Sequence, residues 1–273
     1  DSQPVPNVRT GKMTKELIVN GTTREYIIYV PENYTGTSSL PLLLSFHGLT
    51  SNMEFNFNYT NFDQLAEDEN FIVVHPNGIS NTWTVSANDD TDINFIVALL
   101  NQLEEDYNIE SNRIYSTGMS MGGFFSFSLA CRLSDRIAAV ASVTGSMYQP
   151  AINNCSPVKP MPILQIHGLV DLTVPYNGND TIGMKSIDSI LSYWANNNGC
   201  NPERIIQVTD YFNGKGSIDF INYESCMNNA DVSLIRIPSM GHTWPSKDNF
   251  NISASEEIWN FLSQFNIYGK INN

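Results

Sequence analysis

Near the middle of the chain, Gly118-Met119-Ser120-Met121-Gly122, with Gly123 behind it, has the spacing that presents a serine hydroxyl as a nucleophile. G-x-S-x-G stretches arise often by chance, so the neighbours decide the meaning. RIYSTG (113–118) reads as a strand and the segment from about Met121 to Arg132 as a helix. A serine on so sharp a strand-to-helix turn takes an unfavourable backbone geometry, and small flanking residues let strand and helix approach. Its hydroxyl is a weak nucleophile until a base removes the proton. Of four histidines only His167 and His242 follow Ser120, and the order for this arrangement is serine, acid, histidine. His167 ends a strand in a His-Gly turn, with no acid in a suitable loop between it and Ser120. His242 lies in Ser239-Met240-Gly241-His242-Thr243-Trp244-Pro245, directly after a late strand and behind a glycine that allows a tight loop, and is the expected general base. His47 and His75 are expected to shape loops or line the cleft.

The carboxylate that orients the base should leave the strand PILQIHG (162–168), which points to Asp171; Asp180 and Asp188 are further out, the latter on a solvated helix face. Charge that develops on the attacked carbonyl oxygen needs two backbone N–H groups. Met121, directly after the serine, is expected to supply one. Leu49 in His47-Gly48-Leu49-Thr50 supplies the other, with Thr50 as the alternative donor and a substrate contact. Trp83 and Trp244 are candidates to flank the scissile bond.

The elements that must hold these groups alternate. Lys15 to Val19 and Arg24 to Val30 form a hairpin through Asn20-Gly21. LPLLLSF (40–46) is a strand buried on both faces. Asn61 to Glu69 is helical, FIVVHP (71–76) a strand, and Asp92 to Tyr107 a helix with Ile93, Ile96, Leu99, Leu100 and Leu103 on one face. IAAVASV (137–143), PILQIHG and VSLIRIP (232–238) are further strands, and Ser253 to Phe265 a closing helix. Between Cys200 and Cys226 the composition turns polar, with strand runs at Arg204 to Val208 and Asp219 to Tyr223, read as an excursion from the main sheet. The pattern indicates an α/β fold: a mostly parallel central sheet with helices on both faces. Only about 15 residues, Gly145 to Lys159, lie where a lid would be inserted, so no large lid domain and an open cleft are expected.

Length and charge narrow the class. At 273 residues one domain spanning 1–273 is expected. A formal net charge of −14 argues against nucleic acid or an anionic membrane as partner. No apolar run is long enough to span a bilayer. The N-terminal DSQPVPNVRTGK lacks the blocks of a signal peptide, which a mature secreted protein would have lost in any case. Cys131, Cys155, Cys200 and Cys226 form no C-x-x-C pair. Pairing Cys131 with Cys155 and Cys200 with Cys226 closes two local loops, each worth about 3 kcal/mol in the chain-entropy model, the alternative being four buried thiols. Disulfides imply an extracellular or periplasmic location. N-x-S/T tripeptides stand at Asn20, Asn33, Asn58, Asn179 and Asn251. No metal cluster, phosphate loop or dinucleotide fingerprint is visible, so no cofactor and no metal are expected, and the chain is expected to be a monomer.

LPLLLSFHG, the GMSMGG turn, SDRIAAVASVTGS, HGLVDLTVPY and GHTWP together resemble the bacterial polyhydroxybutyrate depolymerase and feruloyl esterase group, which overlaps carbohydrate esterase family one. The resemblance runs from about Arg24 to Phe265. It implies an α/β-hydrolase fold with Ser120, Asp171 and His242 as the catalytic triad, in agreement with the positional reading. One departure is Met121, where many relatives carry Asn or a small residue. The expected activity is that of a secreted serine carboxylesterase working through an acyl-enzyme on polymer-borne esters, feruloyl or acetyl groups on plant polysaccharide. The alternative is a polyester depolymerase, which exposed aromatic and aliphatic patches around the cleft would favour; a more distant one is a binding protein on an inactive hydrolase scaffold.

Overall fold

The structure, a computed structural model, describes residues 9–211 and 216–271, so residues 1–8 of the N-terminal segment read above lie outside it. β1 (Gly11–Val19) and β2 (Thr22–Val30) pair antiparallel with Val19 opposite Thr22. Asn20 and Gly21 between them have φ of 50° and 79°, the left-handed pair that a two-residue hairpin turn requires. Then follow β3 (Leu40–Phe46), α1 (Met53–Thr60), α2 (Phe62–Glu69), β4 (Ile72–Pro76), α3 (Thr91–Asp106), β5 (Ile109–Met119), α4 (Met121–Arg132), β6 (Ala139–Val143), α5 (Gln149–Asn153), β7 (Ile163–Gly168) and α6 (Ile187–Asn197). β8 (Arg204–Tyr211), β9 (Gly216–Tyr223), β10 (Val232–Ile237), α7 (Lys247–Phe250) and α8 (Ala254–Leu262) complete the main body, and a short β11–β12 pair (Phe265–Asn266 and Gly269–Lys270) follows.

Ten strands form one sheet in the order β1-β2-β4-β3-β5-β6-β7-β10-β9-β8. The six central strands are parallel, and an antiparallel pair finishes each edge. β8 and β9 therefore correct the expected excursion: β9 pairs with β10 through Val232 opposite Tyr223 and extends the main sheet. Their polar composition is that of a solvated sheet edge. β9 still buries Ile218, Ile221 and Tyr223, whereas β8 leaves Ile205, Ile206 and Val208 exposed.

Successive residues of the central strands serve opposite faces. Leu42, Leu44 and Phe46 of β3 join a core with Leu99 of α3, Phe125 of α4 and Trp194 of α6. Leu43 packs on the other side with Phe62 and Ala66 of α2 and Trp259 and Leu262 of α8. Burial on both faces is why these strands read as continuous apolar runs. The residues at helical spacing in α3 all reach the first core, as their periodicity predicts. Only α5 lies between β6 and β7, and no cap domain is inserted there. Disulfides join Cys131, in the last turn of α4, to Cys155, and Cys200, after α6, to Cys226, after β9. Because the six strands run the same way, the loops after β3, β5, β7 and β10 gather along one edge of the sheet, where ligands of open α/β sheets bind.

Candidate active site

Ser120 sits between the end of β5 and the start of α4 with φ 53° and ψ −121°, a conformation that costs a non-glycine residue energy. Its N–H donates to the Val143 carbonyl at 2.8 Å, and its carbonyl accepts from Phe124 N–H at 3.0 Å, so the end of β6 and the first turn of α4 hold it. The glycines make that possible. A Cβ on Gly122 would lie 2.1 Å from the Phe46 carbonyl oxygen, and one on Gly123 2.5 Å from Ser142 Oγ. Larger residues there would push α4 off the sheet and relax the turn.

Asp171 leaves the end of β7 and is almost fully buried. Its Oδ1 accepts the N–H groups of Thr173 (2.8 Å) and Val174 (2.9 Å), and its Oδ2 accepts from His242 Nδ1 at 2.7 Å. Burial pushes the Asp171 carboxyl up, but the hydrogen bonds from His242, Val174 and Thr173 together outweigh it and hold it below the usual carboxylate range. With its Nδ1 committed to Asp171, the His242 ring lines the cavity that Ser120 also lines. The loops carrying Asp171 and His242 touch at the backbone: a Cβ on Gly168 would meet the Met240 carbonyl oxygen at 1.9 Å. His167 approaches the same carboxylate, Nε2 at 3.7 Å from Oδ2, yet both its nitrogens are taken. Nε2–H donates to the Val174 carbonyl and Nδ1 accepts from Gln165 Nε2. Burial lowers its pKa to about 4, so it is a neutral, fixed imidazole and not a competing base.

On the opposite side of Ser120 the loop after β3 is braced from below. His47 is buried, and its Nε2 accepts from Gly78 N–H at 2.9 Å, which leaves Nδ1–H to donate to the Gly48 carbonyl at 2.8 Å. The Trp83 indole N–H donates to the His47 carbonyl at 2.9 Å, and Thr50 N–H to the Asn81 carbonyl at 2.8 Å. The segment from Asn77 to Thr84 is itself anchored by a buried ion pair. Arg24 reaches Asp92 Oδ1 at 2.7 Å and the Asn77 carbonyl at 3.2 Å, with its guanidinium 3.9 Å from the Phe95 ring. Asp92 Oδ2 accepts both the N–H (2.7 Å) and the hydroxyl (2.9 Å) of Thr84. Since the Thr50 amide is spent on Asn81, Leu49 is the better placed of the two donors considered for an oxyanion. Met121 opens α4, where N–H groups lack intrahelical acceptors.

Ser120 and His242 line one cavity of about 210 Å³ with Gly48, Leu49, Phe55, Tyr59 and Met119. Neither tryptophan expected at its mouth is there. Trp83 is 3% exposed, stacked on Phe125 beneath the β3 loop, so it acts as a brace. Trp244 is 4% exposed against Phe62, its indole N–H on Ser255 Oγ, and belongs to the floor of a neighbouring cavity. The Thr50 hydroxyl is turned back onto the Leu49 carbonyl, away from a substrate role. Phe55 and Tyr59, which do line the site, come from α1, whose alternating sequence Met-Glu-Phe-Asn-Phe-Asn-Tyr-Thr carries no helical signal; the Asn52 cap, accepting from Phe55 N–H, was the available hint. Among the described residues no group of three or more His, Cys, Asp or Glu side chains is arranged to hold a metal ion.

A family model described as "Putative esterase" matches residues 19–156, just over half of the chain. A "Probable feruloyl esterase C" of Aspergillus oryzae is 31% identical over 245 residues, 83% of this chain and 86% of that protein. The chain belongs to this esterase family. A bifunctional acetylxylan esterase/xylanase of Neocallimastix patriciarum is 27% identical over 92% of the chain, which spans only 35% of that longer protein. Among solved structures, an acetyl xylan esterase from Aspergillus awamori superposes with a TM-score of 0.65 over 92% of this chain and 99% of that one, at 15% identity, which speaks for a shared α/β-hydrolase fold. These names carry the feruloyl and acetylxylan half of the sequence resemblance and not its polyhydroxybutyrate half.

Proposed function

We propose that this esterase is a serine carboxylesterase that releases aromatic acyl groups of the feruloyl kind from sugar hydroxyls of plant polysaccharide. One observation carries the reading: the strained Ser120 and the Asp171-anchored His242 open on one cavity walled by Leu49, Phe55, Tyr59 and Met119. Those walls suit a planar aromatic acid better than an acetyl group, which would leave them uncovered. His242 Nε2 takes the proton of the Ser120 hydroxyl as its oxygen bonds to the ester carbonyl carbon. Charge gathers on the carbonyl oxygen, toward the N–H groups of Leu49 and Met121. When the carbon–alkoxy bond breaks, the imidazolium returns the proton to the departing sugar oxygen. Water, deprotonated by the same nitrogen, then cleaves the acyl-enzyme and restores Ser120. Asp171 stays ionised throughout, holds the tautomer and stabilises the imidazolium. The two disulfides support an extracellular setting for this chemistry.

The test is a panel of methyl ferulate, feruloylated arabinoxylan, acetylated xylan and a polyhydroxybutyrate film, with Ser120→Ala as control. Ferulate release that falls by about 10⁴-fold or more in Ser120→Ala is the expected result. A second reading, polyester hydrolysis, is favoured by Leu169, Val170 and Leu172, aliphatic side chains exposed on the Asp171 loop. Film clearing with little ferulate release would establish it in place of the first.

A further inference from the structure

Next to the nucleophile's cavity lies a second one of about 450 Å³, between α2, the segment after His242 and the start of α8. Tyr59 lines both cavities. Its hydroxyl is fixed to Thr243 Oγ1 at 3.0 Å and accepts Trp244 N–H at 3.1 Å, so one anchored side chain divides the two spaces immediately beside the base. Their linings differ. The first is largely apolar around the reacting serine, whereas the second presents Asp63, Gln64, Asp68, Lys247 and Glu256.

We propose that this second cavity is the subsite for the hydroxyl-rich sugar chain that carries the ester. The inference rests on the reading of the substrate as a polysaccharide ester and adds where the alcohol half sits. Lys247 is paired with Glu256 at 2.6 Å, which neutralises the cavity's one cationic side chain and leaves Asp63 and Asp68 to repel anions. Sugar hydroxyls donate to carboxylates and both donate to and accept from the Gln64 amide, so a neutral polyol satisfies this lining where an acid would not. The two linings meet at Tyr59 in the order that an ester of an aromatic acid and a sugar presents: apolar acyl group on one side, polar alcohol on the other.

The experiment compares wild type with Gln64→Ala and Asp68→Ala, both exposed on α2 and remote from Ser120's lining, on a feruloylated arabinoxylan oligosaccharide and on methyl ferulate. The expected result is a KM for the oligosaccharide ester raised about fivefold to tenfold, kcat unchanged, and methyl ferulate turnover within about twofold of wild type. Equal losses on both esters, or none on either, overturn the subsite. Calorimetric titration of Ser120→Ala with unesterified xylotetraose is the second arm: binding that Gln64→Ala weakens supports the subsite, and absence of binding overturns it. If wild type cleaves p-nitrophenyl acetate but releases no ferulate from any ester, the acyl reading fails, and the titration alone decides the subsite.

Discussion

The two flanks of Ser120 are held by different physics. On the side of the β3 loop, side-chain hydrogen bonds run from the Arg24–Asp92 pair through Thr84 and Asn77 to Gly78 and Trp83 and end on His47, two residues before Leu49. On the other side, two loops are pressed together at Gly168 and Met240, and one hydrogen bond joins the side chains of Asp171 and His242. Damage should therefore spread gradually on the first flank and act all at once on the second.

The largest effect belongs to the second flank. Asp171→Asn keeps the shape but cannot hold His242 with its proton on Nδ1; kcat on methyl ferulate should fall by about 10⁴-fold with the unfolding midpoint little changed, as steady-state kinetics and a thermal melt would show. Retention of more than a tenth of the activity would mean that the carboxylate is not the orienting group. On the first flank, Asp92→Ala strands the Arg24 guanidinium in the core. A loss of about 3–5 kcal/mol of stability, read from urea unfolding, is expected, with the remaining folded fraction still able to turn over substrate.

Acid sharpens the contrast next. His75 and His167 are buried as neutral rings, and burial lowers their pKa values to about 3 and about 4. The unfolded chain binds those protons near the ordinary histidine value, so between about pH 6.5 and 4 it holds more protons than the folded one. Stability supplied by the neutral rings is complete above that window and is lost as pH falls through it. A thermal midpoint that stays level from pH 7 to pH 4 would contradict their burial. The smallest effect is that of Trp83→Phe, which keeps the stack on Phe125 but deletes the hydrogen bond to the His47 carbonyl; kcat should drop about tenfold while KM holds. A KM change alone would place Trp83 outside the bracing of Leu49.

Much of this frame was legible in the residues. LPLLLSF is β3 to the residue, and β1 and β2 turn back on each other at Asn20-Gly21 as expected, because strand period and turn chemistry are local properties. Ser120 stood out because three glycines mark a close approach that few other turns need. What escaped depends on partners distant in sequence. Arg24 meets Asp92 across 68 residues, and Tyr59 meets Thr243 across 184, and no spacing rule encodes either. α1 was missed because its alternation mimics a strand, and β8 and β9 were set apart because a pattern of side chains does not say which neighbour a strand will choose. The tryptophans misled for a related reason: the sequence does not say whether an indole faces a cleft or supports it from beneath, and Trp83 and Trp244 are both buried.

The contact at Gly168 also has a meaning for remodelling. Where two backbones leave no room for a methyl group, the chain tolerates neither insertion nor a bulkier residue, and the loops that carry Asp171 and His242 must be inherited together. The segments 168–174 and 240–242 form the cassette to leave intact.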